Sequence, residues 1–240
     1  MQQSNGKVIL VTGGAQGLGK AISATLATEH TVIIGDVQED KTVMLAKQLQ
    51  ENNGNAYPLR LDVGNEDSVR EVISEITEKF GRLDALINNA GVDFTKPIME
   101  MTAAEWDLVM TVNLRGPFLT SKYALPVMAR QGGGHIINVV STASLRAWPE
   151  ASAYHASKWG LRGFTQALFT EARRHNIKVT AVIAGGMKTP FLLDRFPDID
   201  QTKLQDPENV AGNIKYLLQG PAETAVPEIM VIPLQETSWP

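Results

Sequence analysis

The chain has 240 residues, 43% hydrophobic and 20% charged, with 22 Lys and Arg against 26 Asp and Glu for a net charge of −4. This is the composition of a soluble globular protein long enough to bury a core unaided, and it lacks the basic footprint of a nucleic-acid binder. With no cysteine, and with His30, His135, His155 and His175 at no metal-ligand spacing, disulfides, thiol nucleophiles, iron–sulfur clusters and zinc chemistry fall away, and no metal is expected.

In chain order, short β-branched runs alternate with longer amphipathic stretches. Strands are expected at Lys7 to Val11, Thr31 to Ile34, Ala56 to Leu61, Ala85 to Ile87, His135 to Val140, Lys178 to Ile183 and Ile229 to Ile232. Helices are expected at Gly17 to Thr28, Glu39 to Gln50, Glu66 to Phe80, Ala103 to Arg130 (with room for a break), Ser152 to His175 and Pro207 to Leu218. The strands are continuously apolar instead of alternating, which strands buried on both faces require. The expected fold is therefore α/β: a Rossmann-like, doubly wound, seven-stranded parallel sheet with helices on both faces, in one domain spanning 1–240. The pair Arg173 and Arg174 reads as the last turn of a helix, where cations are favoured. The longest irregular stretch, Gly185 to Gln205, is a candidate substrate loop. No apolar run approaches the ~20 residues needed to cross a bilayer, and the run Val8 to Val11 is too short for a signal-peptide core. A cytoplasmic protein without membrane or nucleic-acid partners is expected.

Between the first strand and the first helix lies Thr12-Gly13-Gly14-Ala15-Gln16-Gly17-Leu18-Gly19. Glycines there let the backbone turn tightly and approach a pyrophosphate, while the helix N-terminus presents N–H groups and a positive dipole end. Two cofactor classes compete. The window Gly14 to Ala21 is one residue short of a P-loop, because Ala21 stands where a Ser or Thr hydroxyl would hold Mg²⁺. The spacing GxxxGxG of Gly13, Gly17 and Gly19 instead resembles the TGxxxGxG signature of the classical short-chain dehydrogenases/reductases. Asp36, seventeen residues beyond Gly19 at the end of the second strand, is placed to accept both hydroxyl protons of an adenosine ribose and to repel a 2′-phosphate. It could equally cap the next helix. With no Arg or Lys beside Asp36, NAD is preferred over NADP.

Tyr154 and Lys158 stand four residues apart near a helix start, on one face. A phenol near pKa 10 is a poor base. A cation about 4 Å away at an effective dielectric near 20 is worth roughly 4 kcal/mol, or some three pKa units, so Lys158, helped by the positive charge of an oxidised nicotinamide, is expected to bring Tyr154 to roughly 7. That is the range a proton donor and acceptor for a carbonyl/alcohol pair needs. The resemblance to the short-chain dehydrogenases is close here and spans Lys7 to about Ile232. It implies that Ser141, thirteen residues before the tyrosine and with Thr142 and Ser144 as rivals, hydrogen-bonds the substrate oxygen. It implies that Asn113 holds a water linking the lysine to solvent. It also matches Asn88-Asn89-Ala90-Gly91 to backbone along the cofactor, Asp62-Val63 to the adenine side, and Gly185-Gly186-Met187-Lys188-Thr189 to the nicotinamide side, with Gly185 and Met187 as cofactor contacts and Thr189 on the nicotinamide carboxamide. Gln16 and Leu18 belong to the same cradle.

Two departures stand out: Ala184 replaces the family's proline before Gly185, and the chain ends Pro233-Leu234-Gln235-Glu236-Thr237-Ser238-Trp239-Pro240 where many relatives carry Asp-Gly-Gly. Phe94, Trp148, Met187, Leu192, Leu193 and Phe196 are candidate walls of a largely apolar substrate pocket. Small residues Ala156, Gly160, Gly163 and Ala167 on the tyrosine's helix suit either a dimer or tetramer interface or packing within the chain. The expected function is oxidoreduction of a secondary alcohol and a ketone or aldehyde with a nicotinamide cofactor. A 3-oxoacyl reductase of the same family, a non-catalytic NAD-binding sensor or scaffold, and a phosphate-transfer enzyme are the alternatives.

Overall fold

Aliphatic runs become strands wherever both faces can be covered. The computed structural model describes residues 6–236 and carries β1 (Val8–Thr12), β2 (Thr31–Asp36), β3 (Asn55–Arg60), β4 (Ala85–Asn88), β5 (Gly134–Val139), β6 (Ile177–Ala184) and β7 (Glu228–Val231). All pair in parallel in the order β3-β2-β1-β4-β5-β6-β7. Every residue of β1, β2 and β4 is buried, whereas the edge strands β3 and β7 are partly exposed. Pro58 is tolerated in β3 because that strand pairs only with β2.

The pleat sends alternate residues of β1 to opposite layers. Ile9 and Val11 pack under α1 (Gly17–Ala27), α2 (Glu39–Glu51) and α8 (Pro207–Gln219), together with Ile22, Leu26, Leu45 and Ile214. Leu10 joins Val72, Ile76, Leu119, Met128 and Leu168 under α3 (Glu66–Phe80), α5 (Gly116–Arg130) and α6 (Ser152–Ala172). Helix ends follow local chemistry: the Asn65 side chain accepts the Ser68 N–H at the start of α3, and Gly81, at φ 74°, ends it in the left-handed region.

The stretch 103–130, read as one helix with room for a break, is α4 (Ala103–Met110), a π-helical turn at Thr111–Arg115, and α5. Thr102 and Glu105 form a capping box at the start of α4. Pro117, in the first turn of α5, has no N–H for the Asn113 carbonyl four residues earlier, so the ladder widens there and Gly116 reaches back to the Thr111 carbonyl. The segment 185–205 is not wholly irregular: it holds α7 (Pro190–Leu193) and closes at its base through a bridge between Met187 and Gln205. Arg173 and Arg174 do end α6, in a 3₁₀ turn. Among the small residues of α6, Gly160 lies against Leu114 inside the chain, where a Cβ would stand 2.9 Å from Leu114 Cδ2, while Gly163 faces open space. Among the described residues no helix is long and apolar enough to cross a membrane.

A buried polar chain crosses the sheet. Thr120 donates to Asn88 Oδ1 (2.6 Å), Asn88 Nδ2 to Asn138 Oδ1 (2.8 Å), and Asn138 Nδ2 to Thr165 Oγ1 (2.8 Å), which ties α5 through β4 and β5 to α6. His135 on β5 lies 2.8 Å from Thr180 Oγ1, which in turn donates to the Val226 carbonyl.

Burial pushes the His135 imidazole down to about 3. The native protein keeps it neutral while the unfolded chain protonates it below about pH 6.5, so its stabilisation is complete above pH 6.5 and drains as pH falls towards about 3. In denaturant titrations at pH 7 and pH 5, the native protein should lose about 2 kcal/mol more than His135→Gln between the two conditions. Equal losses would show that His135 does not titrate with unfolding.

Candidate active site

At the carboxyl edge of the sheet the chain leaves β1 for one face and β4 for the other, and a cavity of about 260 Å³ opens there. The residues singled out by sequence that line it are Gly13, Gln16, Gly17, Leu18, Asp36, Asp62, Val63, Asn89, Ala90, Gly91, Tyr154, Lys158, Met187 and Thr189. Gly19, Asn113, Ser141 and Gly185 are not part of that lining. Gly19 is a packing residue: a Cβ there would sit 1.9 Å from the Gly13 carbonyl oxygen and 2.7 Å from Asn89 Nδ2. Gly13 adopts φ 60°, and a Cβ on it would meet Ala90 Cα at 2.8 Å.

The glycine turn is held from β4. Thr12 Oγ1 accepts the N–H groups of Asn89 and Ala90, both at 3.1 Å, while Asn89 Nδ2 donates to the carbonyls of Thr12 and Gly13, both at 3.0 Å. The N-terminus of α1 carries no acidic residue in its first turn, so its leading N–H groups and dipole face the cavity uncompensated. This cradle, closed to any Cβ at Gly13 and Gly19, fits a pyrophosphate. Asp36 is buried at the end of β2, lines the cavity, and accepts the N–H groups of Ala15 (3.2 Å) and Gln38 (3.1 Å). Lys41 Nζ, remote in sequence, reaches Gln16 Oε1 at 2.9 Å on the same rim.

Tyr154 and Lys158 rise together from the first turns of α6. The protein's own groups do not by themselves draw Tyr154 towards 7. Burial pushes the phenol up to about 12; the hydrogen bond to Ser141 opposes this, Asp93 adds to it, and Arg195 counters it. Lys158 is itself buried, which lowers it to about 8, and its ammonium donates to the Val139 carbonyl at 2.9 Å while standing 5.6 Å from the Tyr154 ring centre. Ser141 lies two residues past the end of β5, where its Oγ caps a 3₁₀ turn by accepting the Ala143 N–H at 3.1 Å. Of its rivals, Thr142 and Ser144 are buried, and Ser144 Oγ is spent on the Ser141 carbonyl at 2.7 Å.

The Asn113 amide is committed to protein. It exchanges two 2.8 Å hydrogen bonds with the Val92 backbone and donates to Ser157 Oγ at 3.1 Å. Both amide hydrogens are therefore used, and the side chain fastens the chain beyond β4 to α6. His155, next to the tyrosine, accepts the Trp148 N–H (3.1 Å) at Nε2 and so donates from Nδ1 to the Ala143 carbonyl (2.8 Å), bracing the loop that carries Ser141.

Of the six candidate pocket walls only Met187 lines this cavity; Phe94, Trp148, Leu192, Leu193 and Phe196 do not. Trp148 packs edge-on against His155 instead, with ring centres 4.3 Å apart. The wall from α7 is Pro190 and Phe191, the latter 5.8 Å from the Tyr154 ring. Sequence reading also passed over Val37, Gln38, Leu61, Val92, Val112 and Val139. Their signal was adjacency, since most directly flank a residue it did select. An ion pair joins the two sides of the mouth: Arg195 just beyond α7 binds Asp93 after β4, stacks 4.2 Å from the Phe191 ring centre and donates to the Phe191 carbonyl. The Asp93 side chain is 4% exposed, and burial raises its carboxyl above the ordinary range against the pull of Arg195.

The family model for short chain dehydrogenase matches residues 7–200. The chain belongs to that family. It is 35% identical over 222 residues to a 3-oxoacyl-(acyl-carrier-protein) reductase of Thermotoga maritima, covering 88% of this chain and 90% of that protein. Its fold is similar to an alcohol dehydrogenase from Thermococcus sibiricus complexed with 5-hydroxy-NADP, with TM-score 0.88, 27% identity and coverage of 96% and 97%. It is equally close to a short-chain type dehydrogenase/reductase from Mycobacterium marinum, with TM-score 0.88, 27% identity and 95% of both chains covered. With the doubly wound sheet, these likenesses make the chain an NAD(P)-dependent oxidoreductase of the short-chain type.

In this dehydrogenase, Arg195→Ala should raise the rate of proteolytic nicking between residues 190 and 205 at least about threefold while moving the melting temperature by no more than about 2 °C, as expected for local opening. An unchanged nicking rate would show that the ion pair with Asp93 does not hold the segment down.

Proposed function

We propose that this oxidoreductase interconverts a secondary alcohol and a ketone or aldehyde, with Tyr154 as the proton donor and acceptor. The observation that carries the reading is the convergence of Tyr154, its hydrogen-bond partner Ser141 and the buried Lys158 beside a cavity floored by the glycine turn. A bound nicotinamide dinucleotide supplies or takes the hydride and, when oxidised, adds a positive charge. The substrate oxygen sits between Tyr154 and Ser141. In reduction Tyr154, kept neutral by burial, delivers its proton to that oxygen, and Ser141 steadies the charge developing on it. In oxidation the same phenol must give up its proton first, and the Lys158 cation favours that ionised form. Asn113 acts by holding the Val92 backbone in register with Ser157 of α6, and the walls at Met187, Pro190 and Phe191 suit a largely apolar substrate.

NAD is the proposed cofactor over NADP. The Asp36 carboxylate on the cavity wall suits two ribose hydroxyls and repels a 2′-phosphate, although Lys41 on the rim provides one nearby cation. The whole chain acts as one dinucleotide-binding unit and assembles as a homodimer or homotetramer, supported by the exposed Phe118 and Trp159 and the open Gly163 on α5 and α6. A 3-oxoacyl reductase is the second reading, favoured by the Thermotoga maritima relative. Turnover of an acetoacetyl thioester against simple ketones, followed by NADH absorbance, separates the two.

Tyr154→Phe should lower turnover by at least about a hundredfold with NADH affinity intact, measured by steady-state kinetics and fluorescence titration. Retained turnover would remove Tyr154 from the chemistry. Asp36→Ala should narrow the preference for NADH over NADPH about tenfold or more, while a native preference for NADPH would overturn the choice of NAD.

A further inference from the structure

Of the departure at the end of the chain, Pro233 to Glu236 have a place in the structure, while Thr237 to Pro240 lie outside the described residues. The tail turns at Pro233, where Glu236 N–H donates to the Pro233 carbonyl at 3.0 Å, and the Glu236 side chain returns to the loop after β6. Its Oε2 accepts the Gly186 N–H at 2.9 Å. The neighbouring Gly185 N–H donates to the Val231 carbonyl at 3.0 Å, and the Gly186 carbonyl accepts the Gln205 N–H at 3.2 Å. Gln205 also donates from its side chain to the Val231 carbonyl at 3.0 Å. The Gly185-Gly186 backbone is thus clasped between the tail on one side and the end of the 185–205 segment on the other.

The clasp leaves no room for side chains. A Cβ on Gly185 would stand 2.5 Å from Glu236 Oε2 and 2.8 Å from Pro233 Cδ, and one on Gly186 would stand 2.8 Å from Leu204 Cδ2. Immediately beyond, Met187 and Thr189 line the cavity. The chain here lacks the rigid ring of a proline, because residue 184 is alanine and two glycines follow. Such a backbone needs an external restraint to hold one conformation, and a carboxylate accepting a backbone N–H is a strong form of one.

We infer that Glu236 is a positioning residue for the cofactor: the C-terminal tail serves as a strut that fixes Gly185-Gly186 and, through it, the Met187–Thr189 wall of the nicotinamide half of the site. Glu236 is not among the residues that line the cavity and acts through the loop it holds. The inference rests on the cavity being a dinucleotide site, and it separates the two halves of that ligand. The adenosine and pyrophosphate half lies against β1, α1 and Asp36, which the strut does not reach.

The test uses the full chain and two ligands, NADH and ADP-ribose, which lacks the nicotinamide. In Glu236→Ala, amide hydrogen exchange at Gly186 should quicken, NADH affinity should fall about tenfold, and ADP-ribose affinity should stay within about twofold of native, as expected from loss of one charge-assisted hydrogen bond. Glu236→Gln keeps an oxygen for the Gly186 N–H and should restore both slow exchange and most of the NADH affinity. If the alanine variant does not fold, Glu236→Asp, which draws the carboxylate back by one methylene, should show the same pattern at about threefold. Unchanged exchange at Gly186 would overturn the strut. Faster exchange with equal weakening of both ligands, or of neither, would overturn its positioning role. A native protein that binds neither ligand would overturn the dinucleotide reading and the positioning role with it, while the exchange result, which needs no ligand, would still report on the strut itself.

Discussion

Everything functional in this protein depends on how two neighbouring strands end. β1 and β4 run side by side, but the chain leaves them for opposite faces of the sheet, so the backbone groups just past their ends have no strand to pair with. Buried groups of that kind must find partners. Thr12 and Asn89 provide them, one hydroxyl and one amide stitching the two exits together. That stitch keeps the crevice open and holds the glycine turn at its rim, and its tightness is what excludes a Cβ at Gly13 and Gly19. The polar chain from Thr120 to Thr165 does the same one strand further along, fixing β4 and β5 against α6, the helix that carries the tyrosine.

Around that crevice, charge is kept out of water only where it has a partner. The Lys158 ammonium has the Val139 carbonyl and Asp93 has Arg195. Burial works on both members of the tyrosine–lysine pair, up for the phenol and down for the ammonium, and so moves both towards their uncharged forms. A positive charge arriving nearby works against burial on the phenol and favours its ionised form. The poise of the pair is thus set by what enters the cavity as much as by the side chains that line it.

The strands were legible because a parallel sheet buried on both faces writes itself as uninterrupted aliphatic runs; Val8–Thr12 and Ile177–Ala184 could hardly be anything else. The residues at their ends were legible for the same reason, since topology brings them to one edge. Other features left no periodic trace. The π turn at Thr111–Arg115 shifts the helix phase only slightly, and Pro117 was its one visible cause. Inside 185–205 no alternation marks which side chain turns inward, so Leu192, Leu193 and Phe196 were chosen where Phe191 lines the cavity. The spacing of Tyr154 and Lys158 set their shared face, but only coordinates reveal that the ammonium is bonded to Val139. The partner of Glu236 lies 50 residues back, a contact that no local pattern announces.

The bridge between Met187 and Gln205 separates two evolutionary problems. It closes the segment at its base, so the walls that follow from Met187 and Thr189 answer to the sheet and the tail, whereas 190–204 answers mainly to whatever it covers. Doubling the length of such a closed loop costs only about 0.6 kcal/mol in closure entropy. New pocket shapes can therefore be sampled by insertion, deletion or exchange within that stretch while the proton-handling residues stay in place, which makes it a natural graft point for altering substrate choice.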